Sequence, residues 1–111
     1  MSPGAISEEV VSRDTYPDRW SKDLVGTSRL PTTSGFSLGV AEYHTLEFGA
    51  VQIHDDQEAV YIVQGIGEAL VGGEVYAVRP GVALYVPSGT KHALRRTATE
   101  PVKVVYAHGP A

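Results

Sequence analysis

The sequence predicts an all-β fold, a sandwich or a barrel built from many short strands. From Phe36 onward, short runs rich in β-branched and aromatic residues are separated by Gly, Pro, Asp or Ser, which is the pattern of strands joined by turns. Nothing in this region has the period of about 3.6 residues that marks an amphipathic helix. The clearest hairpin is at residues 71–74, because the adjacent Gly72 and Gly73 tolerate the positive φ angles of a two-residue turn.

The expected strands follow one another along the chain, and each ends at a turn signal. Their β-branched and aromatic residues favour strands because such side chains pack well on a pleated, half-buried surface. The strands are predicted near residues 36–42, 46–54, 58–64, 68–71, 74–78, 83–86, 92–96 and 103–107.

Residues 1–34 are polar and rich in turn residues. We expect them to form an N-terminal arm that packs on the barrel or on a partner subunit, and residues 35–111 to form the β-barrel domain. Residues 7–11 fit either a short strand or one helical turn. Trp20, the only tryptophan, either packs on the core or a partner subunit, or closes over the mouth of a binding site.

Length, charge and cysteine content exclude several classes of function. A chain of 111 residues fits one small domain with a single core. The formal net charge of −4 and the lack of a basic cluster argue against nucleic acid and against anionic membranes as partners. Without cysteine, neither a disulfide framework nor a thiolate metal site can form. The sequence has neither a leader-like N-terminus nor an apolar run of about 18 residues, so a soluble cytoplasmic protein is expected.

Four donor side chains have the spacing of a metal site. Gln52 and His54 are two residues apart, so they point to the same face if they lie on one strand. A turn at residues 55–56 would bring Glu58 back to the same place, and His92 follows a later strand and a Pro-Ser-Gly turn. Nitrogen and oxygen donors of this kind suit a hard or borderline divalent ion. We therefore expect a divalent transition metal: Mn, Fe, Ni, Co or Zn.

Each of these residues has a structural alternative. The Gln52 amide oxygen is a poorer donor than imidazole, and Gln52 could instead hydrogen-bond a ligand without touching the ion. His54 and His92 could be ordinary histidines in a protein that binds no metal. Asp55 and Asp56 are expected to form a solvated turn, with Asp56 as an alternative carboxylate ligand.

The region around His92 resembles the second signature motif of the cupin superfamily. That motif is a glycine, five residues, a proline, one residue, a glycine, two residues and a histidine, followed three residues later by an asparagine. Here Gly81, Pro87, Gly89 and His92 fall on the pattern, and Arg96 replaces the asparagine.

The first cupin motif is matched in part. His54, Glu58 and Gly65 have the spacing of its second histidine, its glutamate and its closing glycine, whereas Gln52 occupies the place of the first histidine. Gly49 lies nearer to these residues than the opening glycine of the pattern. The resemblance implies a small single-domain cupin of the cupin 2 type, which is a jelly-roll-like double-stranded β-helix barrel. It also implies metal binding and a homodimer.

Strand parity predicts which side chains would share a cavity with the ion. Counting back by twos from His54 along a regular strand reaches His44, and counting on from His92 reaches Arg96. His44 is the candidate catalytic base, with an ordinary core histidine as the alternative. Arg96 would bind a substrate carboxylate or project from the rim of the barrel. His108 is expected to have no chemical role, because it lies in a Gly-Pro tail.

Three classes of function fit these features. The first is a metal-dependent enzyme acting on a small oxygenated substrate, such as a sugar or sugar acid, by isomerase, epimerase or lyase chemistry. The ligand pattern resembles that of cupin-type phosphomannose isomerases. The three-histidine iron set of many cupin dioxygenases is absent, although dioxygenation stays an alternative. The second class is a cupin that binds a small ligand without turnover, and the third is a structural barrel that serves oligomerisation.

Overall fold

The computed structural model describes residues 2–111, so Met1, the first residue of the predicted arm, lies outside the described residues. Residues 2–111 contain one 3-10 turn, Glu8–Val10, and nine strands, which confirms the prediction of an all-β fold. The strands are β1 (Asp14–Thr15), β2 (Arg19–Val25), β3 (Ser37–Tyr43), β4 (Gln57–Gln64), β5 (Gly67–Val71), β6 (Glu74–Val78), β7 (Ala83–Val86), β8 (His92–Arg96) and β9 (Val102–Gly109). Across this described range, no helix is long and apolar enough to cross a membrane.

The strands form two antiparallel sheets. The larger sheet has six strands in the order β1-β2-β3-β9-β4-β7, and the smaller has three in the order β6-β5-β8. β9 lies inside the larger sheet, where it pairs with β3 on one side and with β4 on the other. Because side chains alternate between the two faces of a strand, this pairing decides which residues of β9 face the core.

The core lies between the two sheets and takes alternate residues from each strand. Val60 and Ile62 of β4 and Val104 of β9 are almost fully buried in one apolar cluster with residues of the smaller sheet. Burying a side chain of this size contributes about 1.5–3 kcal/mol. Glu58 shares the parity of Val60, and His108 shares that of Val104, so the alternation that builds the core also turns these two polar groups inward.

Most of the predicted strands are present. Those at residues 74–78, 83–86 and 92–96 have the predicted bounds. The strands expected at residues 36–42, 58–64, 68–71 and 103–107 are shifted or extended by one or two residues. The hairpin predicted at residues 71–74 joins β5 to β6, and both of its glycines have positive φ angles, 58° at Gly72 and 87° at Gly73.

The strand predicted at residues 46–54 is wrong. Only Gln52 pairs there, through two backbone hydrogen bonds with His92 in an isolated bridge. Gly49 packs so closely on the carboxyl group of Asp18 that a Cβ at this position would lie 2.2 Å from Asp18 Oδ2. This contact places the segment against Asp18, the residue before β2, and the segment meets β8 only at the Gln52 bridge. The regular inward face that was expected along residues 46–54 is therefore not formed.

Part of the predicted arm is built into the larger sheet. β2 pairs with β3 from Arg19 to Val25, and β1 pairs with β2. Trp20 is 9% exposed and packs with Leu24 and Val40 in a second apolar cluster. Trp20 therefore serves packing and does not close a site. Within residues 7–11, the chain forms the single 3-10 turn.

Candidate metal centre

Glu58 is a buried carboxylate on the inward face of β4. It is 8% exposed, and its Oε1 atom has no hydrogen bond of standard geometry among residues 2–111. The Nε2 atoms of His54 and His92 both lie 3.2 Å from this oxygen. A buried polar atom without a partner costs about 1–3 kcal/mol, and more when it is charged. A bound cation or proton would therefore stabilise this oxygen.

His108 completes a group of three imidazoles around Glu58. β9 pairs with β4 so that His108 lies directly opposite Glu58, and His108 Nε2 is 3.6 Å from Glu58 Oε2. The ring centroid of His54 is 4.7 Å from that of His108 and 4.8 Å from that of His92. The expectation that His108 stands in a tail is wrong, because β9 continues to Gly109.

The sequence contains a signal for His108 that the predicted strand end at residue 107 concealed. Val102 and Val104 are buried, and counting on by twos reaches Tyr106 and then His108. All four residues share one face of a regular strand. Extending the strand by two residues would have placed His108 beside the other candidate ligands.

The Nδ1 nitrogens of the three rings each meet an oxygen acceptor. Asp56 Oδ1 lies 2.8 Å from His54 Nδ1, and Asp56 Oδ2 lies 3.0 Å from His108 Nδ1. His92 Nδ1 lies 3.1 Å from the carbonyl oxygen of Thr90. An ionised carboxylate and a carbonyl can only accept, so each Nδ1 is the donor, and a neutral imidazole then carries its lone pair on Nε2. The three Nε2 lone pairs face the buried carboxylate described above.

The charges of this cluster shift two pKa values. Burial alone would lower the pKa of His92, but the Glu58 carboxylate and the Thr90 carbonyl raise it above its usual value. Burial alone would raise the pKa of Asp56, but the hydrogen bonds from His108 and His54 lower it. Both pKa shifts have the same cause. Carboxylate oxygens lie beside imidazole nitrogens in this cluster, and this arrangement favours bound positive charge.

The group has the composition and size of a metal site. His54, Glu58 and His108 each offer one ligand atom, and these atoms all lie within 4.8 Å of one another. Imidazole nitrogen together with carboxylate oxygen is a donor set that zinc, iron and other borderline divalent ions use. Acceptor atoms that face one another around a buried oxygen, with no donor between them, are stabilised by a cation. The residues present therefore fit a divalent metal.

Three of the four predicted ligands are brought together. His54, Glu58 and His92 converge, whereas Gln52 lines the adjoining cavity. Gln52 Nε2 is 3.5 Å from the hydroxyl of Tyr43, to which it donates. Gln52 as a metal ligand stays a prediction.

A cavity of about 170 Å³ adjoins the cluster. Glu58, His92 and His108 line it together with two charged residues of β2, Arg19 and Asp23. An N-terminal arm at residues 1–34, as predicted from the sequence, does not imply that these β2 side chains line the cavity. The volume is below the range of about 300–1,000 Å³ found for pockets that take drug-sized ligands, so the cavity suits a small molecule.

Arg19 carries a positive charge into this cavity wall. Its Nη1 lies 2.9 Å from Asp18 Oδ1, and its side chain is 15% exposed. The guanidinium carbon is 4.2 Å from the ring centroid of Tyr16 and 5.9 Å from that of Tyr43. A guanidinium has five N–H donors in a rigid fork, so the pair with Asp18 leaves donors that a ligand can use.

Two tyrosine hydroxyls also line the cavity. Burial raises the pKa of Tyr43. Burial and the neighbouring Asp23 carboxylate raise the pKa of Tyr106, whose hydroxyl donates to Asp23 Oδ1 over 2.7 Å. Both hydroxyls are therefore protonated near neutral pH. The Tyr106 proton is used in the bond to Asp23, whereas the Tyr43 hydroxyl accepts from Gln52 and can donate its own proton to a ligand.

The two predicted catalytic residues, His44 and Arg96, are not among the residues that line this cavity. His44 is exposed, and its backbone carbonyl accepts a hydrogen bond from Arg96 Nε over 2.9 Å. Arg96 Nη1 donates to the carbonyl of Ala98 over 2.7 Å. The catalytic roles of His44 and Arg96 stay predictions that the described geometry does not favour.

Comparison with known proteins identifies the fold. The sequence profile of the cupin domain matches residues 40–108, and no curated protein sequence matches the chain significantly. A solved structure described as a predicted oxalate decarboxylase from Thermotoga maritima has a TM-score of 0.83 and 11% identity, over 97% of this chain and 100% of that one. An RmlC-like cupin from Shewanella frigidimarina has a TM-score of 0.79 and 16% identity, over 99% and 93%. KdgF from a Halomonas species has a TM-score of 0.73 and 19% identity, over 96% and 94%.

Identities this low establish a shared fold and nothing about activity. They confirm the expected jelly-roll-like cupin architecture, which here consists of two antiparallel sheets with the core between them. The family profile covers residues 40–108, from within β3 to within β9. This range is more than half of the 111 residues of the chain. The chain therefore belongs to the cupin domain family.

Proposed function

We propose that this protein is a metal-dependent enzyme that acts on a small anionic oxygenated substrate, such as a sugar acid. His54, Glu58, His92 and His108 would hold a divalent transition metal, with Gln52 beside them as a further candidate ligand. The observation that carries the proposal is the buried Oε1 atom of Glu58, which lies 3.2 Å from the Nε2 atoms of His54 and His92 and has no hydrogen bond of standard geometry among residues 2–111.

When bound, the metal would supply a Lewis acid that polarises a carbonyl or hydroxyl oxygen of the substrate. The side chains of the cavity would bind and orient the rest of the molecule. Arg19 would pair with the substrate carboxylate, because a guanidinium matches a carboxylate in a two-point contact. In the described cavity wall, Asp23 is the carboxylate outside the histidine cluster, so it is the proposed proton acceptor, held in place by the Tyr106 hydroxyl. A Lewis acid, a carboxylate-binding Arg19 and a proton acceptor at Asp23 would together suit isomerase, epimerase or lyase chemistry.

Dioxygenation is the second candidate, because three histidines lie around one glutamate. The lack of a three-histidine set in the sequence motifs counts against oxidation, but His108 supplies a third imidazole within 3.6 Å of Glu58. Oxygen uptake by the iron-loaded protein, measured with the same acids, would favour dioxygenation. Conversion of substrate without oxygen uptake would favour the non-redox chemistry.

The test is elemental analysis followed by a substrate screen. About one divalent ion per chain is expected, and the metal-loaded protein should convert a member of a panel of aldonic, uronic and keto acids. Arg19→Gln should raise the KM about 10- to 100-fold, as expected when a charge-assisted hydrogen bond is lost. Arg96→Gln is the matched control outside the cavity. Tight binding of an acid without turnover by any metal form would refute the enzymatic proposal and favour a non-catalytic binding cupin.

We also propose a homodimer formed through the outward face of β4 and β7. Tyr61, Val63 and Tyr85 on this face are 50%, 41% and 60% exposed, and β7 is an edge strand of the larger sheet. Open strand edges and contiguous apolar surface are commonly covered in folded proteins, and a second copy would cover both. Light scattering should give twice the mass of one chain, and a monomer at micromolar concentration would contradict the proposal.

A further inference from the structure

One carboxylate serves two imidazoles of the candidate metal centre. Asp56 precedes β4, and its Oδ1 lies 2.8 Å from His54 Nδ1. The same side chain reaches His108 Nδ1, which is 3.0 Å from Oδ2 and 3.1 Å from Oδ1. His54 lies in the loop before β4 and His108 lies on β9, so Asp56 joins the loop to an interior strand of the larger sheet.

The chemistry of these contacts determines which nitrogen of each ring carries the proton. An ionised carboxylate only accepts, and a neutral imidazole has one N–H and one lone pair. Both Nδ1 atoms that contact Asp56 must therefore be donors. The lone pairs then sit on Nε2, which is 3.2 Å from Glu58 Oε1 in His54 and 3.6 Å from Glu58 Oε2 in His108.

We infer that Asp56 is a positioning residue that holds His54 and His108 in the Nδ1–H tautomer and so directs both Nε2 lone pairs at the metal. This inference rests on the metal site of the proposed function. His92 is oriented separately, since its Nδ1 meets the backbone carbonyl of Thr90. Losing a carboxylate that orients one ligand histidine typically weakens metal binding about 10- to 100-fold. Because Asp56 orients two ligand histidines, its loss should weaken metal binding by a factor toward the upper end of that range.

Asp56→Asn tests the inference, with Asp55→Asn as the matched control. The asparagine oxygen can still accept from one imidazole, but its NH₂ group offers a donor to the other ring. That ring must then accept at Nδ1 and carry its proton on Nε2, where it blocks coordination. Asp55 is exposed and enters the described hydrogen bonds only through its backbone carbonyl, so the control changes charge without changing the cluster.

Two measurements decide the outcome. Nitrogen-15 NMR of the metal-free wild type at pH about 8, above the usual imidazole pKa of about 6.5, should show His54 and His108 with protons on Nδ1. Competition with a chelator should show Zn²⁺ and Co²⁺ bound about 10- to 100-fold more weakly by Asp56→Asn and unchanged by Asp55→Asn.

Protons on Nε2 in the wild type would overturn the inference, and so would unchanged metal affinity in a folded Asp56→Asn variant. The NMR measurement needs only wild-type protein, so the inference stays testable if the variant fails to fold. A wild type that has the Nδ1–H tautomers but binds no metal would refute the proposed function and uphold the tautomer assignment.

Discussion

Replacing Glu58 with glutamine distinguishes a metal ligand from a structural ion pair, because the two roles predict opposite changes in stability. If the carboxylate serves mainly to pair with protonated histidines, Glu58→Gln breaks a buried salt bridge and costs about 3–5 kcal/mol. If the carboxylate is held for a metal, the metal-free protein carries a buried oxygen without a donor, at a cost of about 1–3 kcal/mol. Glutamine has nearly the same volume, and its NH₂ group can donate to the imidazole nitrogens that lie 3.2 Å from Oε1.

We therefore expect the metal-free Glu58→Gln variant to be at least as stable as the metal-free wild type, with a gain of up to about 3 kcal/mol. Metal at about 100 times its Kd should add about 2.7 kcal/mol to the wild type and far less to the variant. Each kcal/mol moves the melting temperature by a few degrees in a domain of this size. Adding metal should thus raise the melting temperature of the wild type toward or above that of the variant.

Thermal and chemical denaturation of both proteins, after chelation and again with added Zn²⁺ or Mn²⁺, measure these changes at pH about 8, where an ordinary imidazole is neutral. Glu68→Gln is the control, because Glu68 pairs with Arg95 at the surface and its side chain is 33% exposed. That change should cost less than about 1 kcal/mol and leave the metal response intact. A metal-free Glu58→Gln variant that is about 3–5 kcal/mol less stable than the wild type would refute the reasoning.

Two further predictions concern the residues beside Glu58. His108→Ala should weaken metal binding by at least about 10-fold, since even residues that only orient a ligand change affinity by that much; chelator competition measures it, with His44→Ala as the unaffected control. Tyr106→Phe should reduce the loss of stability at high pH. Because the pKa of Tyr106 is raised above its usual 10.0, the folded chain keeps a proton that the unfolded chain releases, so its contribution is present below pH 10.0 and is lost as pH rises. Denaturation at about pH 9 and pH 11 compares the slopes, and equal slopes would contradict this assignment.

Local pattern was sufficient to place Glu58 and His92. Glu58 is the second residue of β4, and the alternate residues that follow it, Val60 and Ile62, are buried, so parity alone turns its carboxylate inward. His92 begins β8 after a turn in which Gly89 has a positive φ angle of 70°. Turns of this kind can be predicted from the sequence. Both residues were therefore predictable without knowledge of the tertiary fold.

Long-range packing decided the rest of the site, and no local pattern encodes it. Arg19 reaches the cavity because β2 pairs with β3, across a long loop. His44 was assigned to the inward face by extending a regular strand through residues 46–54. That stretch is irregular backbone apart from the bridge at Gln52, and Gly49 packs there on the Asp18 carboxyl group, so the count by twos no longer holds.

The proposed site divides between two parts of the chain, and this division would separate ion binding from the choice of substrate. The four proposed ligands lie within residues 40–108, which match the family profile. Arg19 and Asp23 of the cavity wall lie before residue 40, on a strand outside that match. If the division holds, changes on β2 should alter which anion binds while leaving metal affinity intact. Arg19→Gln, measured for both KM and metal affinity, tests this. A raised KM together with weaker metal binding would mean that Arg19 holds the metal cluster in place through its contacts, because its charge acts to lower the pKa of His92 and so opposes bound positive charge.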